Sequence, residues 1–283
     1  MSLTYGSLLL IFVIVPIIAL GLVNAGFLVQ RKNHDASMAE RSWWSPWVAL
    51  AVLIVVAVLY TAPWDNHLIA AGVWWYSPAR ISGIAIGQIP LEELLFFPLQ
   101  TLLIGLWFIG LLRERGWEGL PAVSGVFDKR GIQAAHCKGG HLIAVTVGGT
   151  LWLAALLLLR DGWRPGTYLS WELVWALPPM LLQIGLGGDI LWRWRWLLAK
   201  VLVPVVIYLS AVDALAIHQE IWTISPQQTL GVLVGGVLPV EEIAFFALSS
   251  TLVAFGLTLA IASAPRQRIR AFRARVAYAL GRH

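Results

Sequence analysis

Two adjacent glutamates, Glu92 and Glu93, sit inside the apolar stretch Gly87–Phe97, GQIPLEELLFF. The pattern returns 149 residues later as Gly236–Phe246, GVLPVEEIAFF, with Glu241 and Glu242. The glycine, the proline, both glutamates and both phenylalanines keep their spacing. Ionisable groups among lipid-facing residues are costly and mark functional sites by default. A close pair of carboxyl groups, one holding a proton and one not, can protonate one atom and deprotonate another. Each glutamate also has an aromatic one helical turn further on: Phe96 and Phe97 in the first copy, Phe245 and Phe246 in the second. Aromatic faces stabilise cations through their quadrupole. Acids among aromatics in a dry pocket suit chemistry in which an alkene becomes a carbocation. The plainer alternative is a helix cap or an ion pair with Arg80, and two copies of the whole pattern weigh against it.

The duplication reaches upstream. Asp65 precedes Trp74 by nine residues, and Asp213 precedes Trp222 by nine. Both aspartates are expected in loops on the motif side, where an Asx turn is an ordinary role. The tryptophans have two readings, pocket walls or members of an interfacial aromatic belt. Asp65 and Asp213 therefore join the four glutamates as catalytic candidates. Trp74 and Trp222 join Phe96, Phe97, Phe245 and Phe246 as candidates for substrate contact.

The elements that must position these residues are membrane helices. Only 12% of the 283 residues are charged and 59% are hydrophobic, far from the roughly 25% charged of soluble domains. Apolar runs near the ~20 residues that span a bilayer fall at about Leu8–Val29, Pro46–Tyr60, Pro90–Leu112, Leu142–Leu159, Tyr168–Leu186, Trp196–Ile217 and Leu238–Ala262. The second is short, and the fifth contains Glu172 and Pro178–Pro179. The first has no basic stretch before it and reads as a retained span. Proline suits a first helical turn, so spans three and seven are expected to start near Pro90 and Pro239. Of the 20 Lys and Arg, 17 fall on one side of these spans and only Arg80, Arg160 and Arg164 on the other. The positive-inside rule then places the C-terminus in the cytoplasm and the N-terminus outside, in the cell membrane.

The expected fold is an all-α polytopic membrane protein of seven transmembrane helices, arranged as two parallel three-helix repeats joined by a linker helix. The odd fourth span restores the orientation of the second repeat, so both acidic motifs lie in the same leaflet. The expected divisions are residues 1–112 and 166–263 for the repeats, 113–165 for a basic cytoplasmic loop with the linker helix, and 264–283 for a basic tail. The arginines of that tail read as a topology anchor, with an interfacial helix as the other reading.

Other features carry less. His136, Cys137 and His141 lie close together but have no counterpart elsewhere, so no metal is expected. Gly185–Gly188 does not open a βαβ unit, and no aspartate-rich magnesium motif for a diphosphate is present. Cys137 is the single cysteine, which excludes an intrachain disulfide. A proton-coupled transporter is the rival from another class, since parallel repeats with buried carboxylates occur there. The glutamates lie towards one end of their spans, which weighs against it.

The segments TAPWDNHLIAAGVWWY before GQIPLEELLFF, and LAIHQEIWTI before TLGVLVGGVLPVEEIAFF, resemble the membrane-integral, flavin-independent lycopene cyclase family in its fused form. The resemblance covers both repeats. It implies an enzyme without a cofactor that protonates the linear end group of lycopene or a related acyclic carotenoid. Attack by a neighbouring double bond then closes a ring, and loss of a proton leaves a β-type end group with no net redox change. Nearby alternatives are an end-group hydratase or a cyclase of another isoprenoid. The implied partners are a lipophilic carotenoid in the bilayer, membrane lipids and other carotenoid enzymes, with no nucleic acid. Carried over by position, Glu92, Glu93, Glu241 and Glu242 are the acid/base candidates, supported by Asp65 and Asp213.

Overall fold

A computed structural model describes residues 3–30, 45–114 and 133–262. Seven helical segments in it are long and apolar enough to cross a membrane: Tyr5–Gly26, Pro46–Ala70, Leu91–Glu114, Leu142–Asp161, Arg164–Arg193, Arg195–His218 and Val240–Ile261. The all-α polytopic architecture expected from the hydropathy pattern is the one observed. The first span comprises α1 (Tyr5–Leu9), a π-helical turn (Leu10–Ile14) and α2 (Val15–Gln30). The others are α3 (Pro46–Ala70), α4 (Leu91–Glu114), α5 (Gln133–Asp161), α6 (Thr167–Arg193), α7 (Arg195–His218) and α8 (Val240–Ile261).

Helix α3 begins on Pro46, where a missing N–H leaves no bond unmade. It then continues ten residues beyond Tyr60, through TAPWDNHLIA. Hydropathy stops at Tyr60 because that last stretch is polar. The helix does not stop, because Thr61, Trp64, Asp65 and Leu68 turn into the bundle. Asp65 is only 2% exposed and Asp213 only 4%. The expectation that both aspartates lie in loops is therefore corrected: they are buried inside α3 and α7. Prolines inside α3, α4, α6 and α7 (Pro63, Pro98, Pro178–Pro179 and Pro204) are carried without ending the helix, as packed membrane helices allow.

Each acidic motif is entered through a small hairpin. Strands β2 (Ala85–Ile86) and β3 (Ile89–Pro90) pair antiparallel before α4, and β5 (Leu233–Val234) and β6 (Leu238–Pro239) before α8. The two prolines thus end strands, and the helices start one residue later than expected. The first turn has two residues, Gly87 and Gln88, with Gly87 at φ 66°. The second has three, Gly235, Gly236 and Val237, with both glycines at positive φ. That extra residue explains why the aspartates and tryptophans repeat at 148 residues and the glutamates at 149.

A further pairing joins the halves. Strands β1 (Trp74–Tyr76) and β4 (Trp222–Ile224) run antiparallel, with Trp74 opposite Ile224, Trp75 opposite Thr223 and Tyr76 opposite Trp222. This register maps onto itself under the 148-residue offset. Flanking bonds match too: Ser77 N–H donates to Ile221 O (2.9 Å) and Ser225 N–H to Val73 O (2.8 Å). The main core lies between α3, α4, α6, α7 and α8, with Ile104, Phe108, Val201, Ala254 and Leu257 buried in it. A smaller cluster seats Tyr5, Leu8 and Val13 of the first span against Val212 and Ala216 of α7. Helix α5 packs chiefly on α6.

Candidate active site

The two glutamates of each doublet point in different directions. Glu92 Oε1 accepts the Ser82 N–H at 2.6 Å, and Glu241 Oε1 accepts the Leu230 N–H at 2.6 Å. Each is buried and ties its own hairpin loop to the first turn of its helix. Glu93 and Glu242, about 100° further round the helix, face a cavity instead. Asp65 and Asp213 reach the same cavity from α3 and α7.

Phenols from the first span and from α6 hold the inward glutamates. Tyr5 donates to Glu93 Oε2 (2.5 Å) and Tyr168 donates to Glu242 Oε1 (2.9 Å). Both tyrosines are anchored alike: Tyr5 N–H donates to Arg80 O (2.8 Å) and Tyr168 N–H to Gln228 O (3.0 Å). These pairs correspond between halves, since Arg80 and Gln228 are 148 residues apart. Arg80 sends its guanidinium to Leu3 O (3.1 Å), so the ion pair weighed for it with a glutamate is not formed.

The halves then diverge. Glu93 has a second donor, Tyr76 (3.0 Å), whose oxygen in turn accepts from Trp74 Nε1 (3.1 Å). The matching position in the second half is Ile224, which has no hydroxyl. In the second half, Glu242, Asp213 and Trp222 line the cavity together. The cavity thus has an acceptor end at Glu93, with two O–H donors converging on one oxygen, and a pair of carboxyl groups, Asp213 and Glu242, in its other half. Burial pushes the Tyr76 phenol well above its ordinary value, and the Glu93 and Asp65 charges add to this. It remains a donor at neutral pH.

Aromatic rings form the remaining walls. Trp64 stacks on Phe245 (5.8 Å, 3° between planes) and on Trp175 (4.8 Å). Phe246 meets Phe96 edge-on at 6.4 Å, and Tyr5 packs on Trp222 at 4.9 Å. Trp74 leans on Tyr168 at 5.4 Å. No lysine or arginine lines the cavity among the described residues.

Of the sequence candidates, Asp65, Asp213, Glu93, Glu242, Trp74, Trp222, Phe96, Phe245 and Phe246 meet around this cavity. Glu92 and Glu241 turn away to the loops, and Phe97 lines a neighbouring cavity. Sequence reasoning missed Tyr5, Tyr76, Tyr168 and Trp64. Tyr5 and Tyr168 lie far from the motifs, although they open their spans alike, whereas Trp64 and Tyr76 lie inside the segment TAPWDNHLIAAGVWWY. Glu172 had a signal, as a lone carboxyl in an apolar span. It is fully buried on α6, one turn beyond Tyr168, and neither of its oxygens has a partner among the described residues. No group of three or more His, Cys, Asp or Glu suited to a metal occurs among the described residues. The side chains of His136, Cys137 and His141, and the arginine-rich tail, lie outside those described.

The chain is similar to known proteins. The chain matches the lycopene cyclase family over residues 2–110 and 166–260. It is 34% identical over 267 residues to a lycopene beta-cyclase of Halobacterium salinarum, covering 92% of this chain and 96% of that protein. A bifunctional lycopene cyclase/phytoene synthase of Podospora anserina is 36% identical over 211 residues, and one of Phaeosphaeria nodorum 31% over 220. Those alignments cover 73% and 72% of this chain but only 34% of each fungal protein. No solved structure matches. Two matched segments that contain both acidic motifs, and a relative aligned almost end to end, place this chain in the lycopene cyclase family.

Proposed function

We propose that the chain is a carotenoid cyclase, closing a β-type ring on the linear end group of lycopene or a related acyclic carotenoid dissolved in the bilayer. One observation carries this reading: four carboxyl groups and a wall of aromatic rings surround one apolar cavity, with no cation among its described lining. The Asp213–Glu242 pair supplies a proton to the terminal double bond. The tertiary cation this leaves is attacked by the π electrons of a neighbouring double bond, which closes the ring and moves the positive charge onto it. Trp64, Phe245 and Phe246 stabilise that charge with their faces. Glu93, held by Tyr5 and Tyr76, takes the departing proton, so atoms and electrons balance with no redox partner. Asp65 supports the second carboxylate.

We also infer that residues 1–112 and 166–263 are parallel repeats, with 113–165 as linker and 264–283 as a cytoplasmic tail. The matched tyrosine anchors and hairpins support this, as does the gap between the two family-matched segments. The basic residues favour an outside N-terminus.

Expression in a lycopene-accumulating host tests the activity. Cyclic end groups in the extracted pigment are expected. Unchanged lycopene, or hydroxylated acyclic ends from capture of the cation by water, would overturn it.

A further inference from the structure

A second cavity opens below the first, between α3, α4, α6 and α8. Phe245 lines both. Trp175, in the wall of the second, stacks on Trp64, in the wall of the first. Their linings follow one another along each helix. On α3 the first cavity takes Trp64 and Asp65, and the second runs from Thr61 down to Leu53. On α8 the first takes Glu242, and the second continues to Val253. Asp65 to Leu53 is twelve residues, or roughly 18 Å of helix at 1.5 Å per residue. That is more than half of a ~30 Å hydrocarbon core.

The polar groups in this wall are largely tied off within the protein. Gln100 Nε2 donates to Ser249 Oγ (2.9 Å), Thr101 Oγ1 to Phe97 O (2.9 Å) and Gln183 Nε2 to Leu252 O (2.9 Å). Gln183 Oε1 is buried with no partner among the described residues. At the rim, Val56 is 51% exposed and Tyr60 42%, so the cavity opens sideways where lipid would lie. Tyr60 also bridges α3 to α6, donating to Trp175 O (2.8 Å) with the two rings stacked at 6.0 Å.

We propose that this second cavity is the binding shaft for the conjugated chain of the substrate, entered from the bilayer between α3 and α6 beside Tyr60. The end group lies among the carboxyl groups, and the rigid polyene extends along α3 and α8 towards the membrane centre. This rests on the cyclase reading above. It adds a site, an entry route and a direction: the end group enters the first cavity from the membrane interior rather than from the aqueous face.

The test uses membranes containing the full chain and two substrates: lycopene, and a short acyclic analogue with the same end group and only the first few double bonds. Ala57→Trp and Leu252→Trp fill the shaft, and Leu157→Trp, on the exposed face of α5, controls for added bulk. The shaft variants should lower lycopene conversion about tenfold or more, with the analogue within about threefold of wild type. The control should convert both normally. Equal loss of both substrates by inserted shaft variants, or no loss of either, overturns the proposal while the cyclase reading stands. Failure of the wild type to form any ring overturns the cyclase reading first, and this proposal with it.

Discussion

Glu92 and Glu93 are neighbours in sequence but differ by about 100° of helical rotation, which sends one to a backbone amide and the other to the cavity. Their substitutions should separate accordingly. Glu93→Gln and Glu242→Gln should each lower ring formation by roughly a hundredfold or more, the scale of a lost general acid or base, with normal amounts of inserted protein. Glu92→Ala and Glu241→Ala remove the acceptor of a buried N–H and should cost about 1–3 kcal/mol of stability, measured as a lower melting temperature, while the folded fraction keeps its turnover. Full stability with lost turnover in the Ala variants would reverse this assignment. Tyr76 carries a pH prediction. Its folded phenol titrates above the unfolded value near ~10, because burial and the Glu93 charge oppose ionisation. Above that pH the unfolded chain loses a proton that the folded chain keeps, so stability falls as pH rises. Tyr76→Phe should shallow that alkaline loss in a denaturation series.

At the scale of elements, the hairpins aim the doublets. Gly87 sits at φ 66°, and a Cβ there would run into the Asn66 side chain. Asn66 Oδ1 also accepts the Gln88 N–H (2.8 Å), fastening the first hairpin to α3. Gly87→Ala should therefore cost about 1–2 kcal/mol or more, seen as a lower melting temperature and a reduced yield of ring product. The second half has Ala214 in place of Asn66 and a three-residue turn in place of two, so its hairpin has no such tie. Asn66→Ala should loosen only the first hairpin, detectable as faster amide exchange at Gln88 with Val237 unchanged.

At the scale of the molecule, the cavity is composite. Glu93 and Asp65 come from one half, Glu242 and Asp213 from the other, and β1 pairs with β4 across the join. Expressed separately, residues 1–112 and 113–283 should each give no cyclic pigment, and together they should restore it. Ring formation by either piece alone would show that one doublet suffices.

The seven spans, the duplication and the acidic motifs were legible in the sequence because apolar length, repeated spacing and stranded carboxyl groups are local signals. The family resemblance could be read from the same residues. Other features depended on tertiary structure. Hydropathy ended α3 at Tyr60, since a polar face turned inward looks, in sequence, like a loop. Tyr5 and Tyr168 became partners of Glu93 and Glu242 only when the first span packed against α4 and α6 against α8. The division of each doublet into a loop anchor and a cavity acid was likewise hidden, because PxEE fixes composition but not which way the helix is turned. The sequence by itself determined that a duplicated pair of acids would open two membrane helices; packing decided which acid of each pair faces the cavity, and which phenols hold it there.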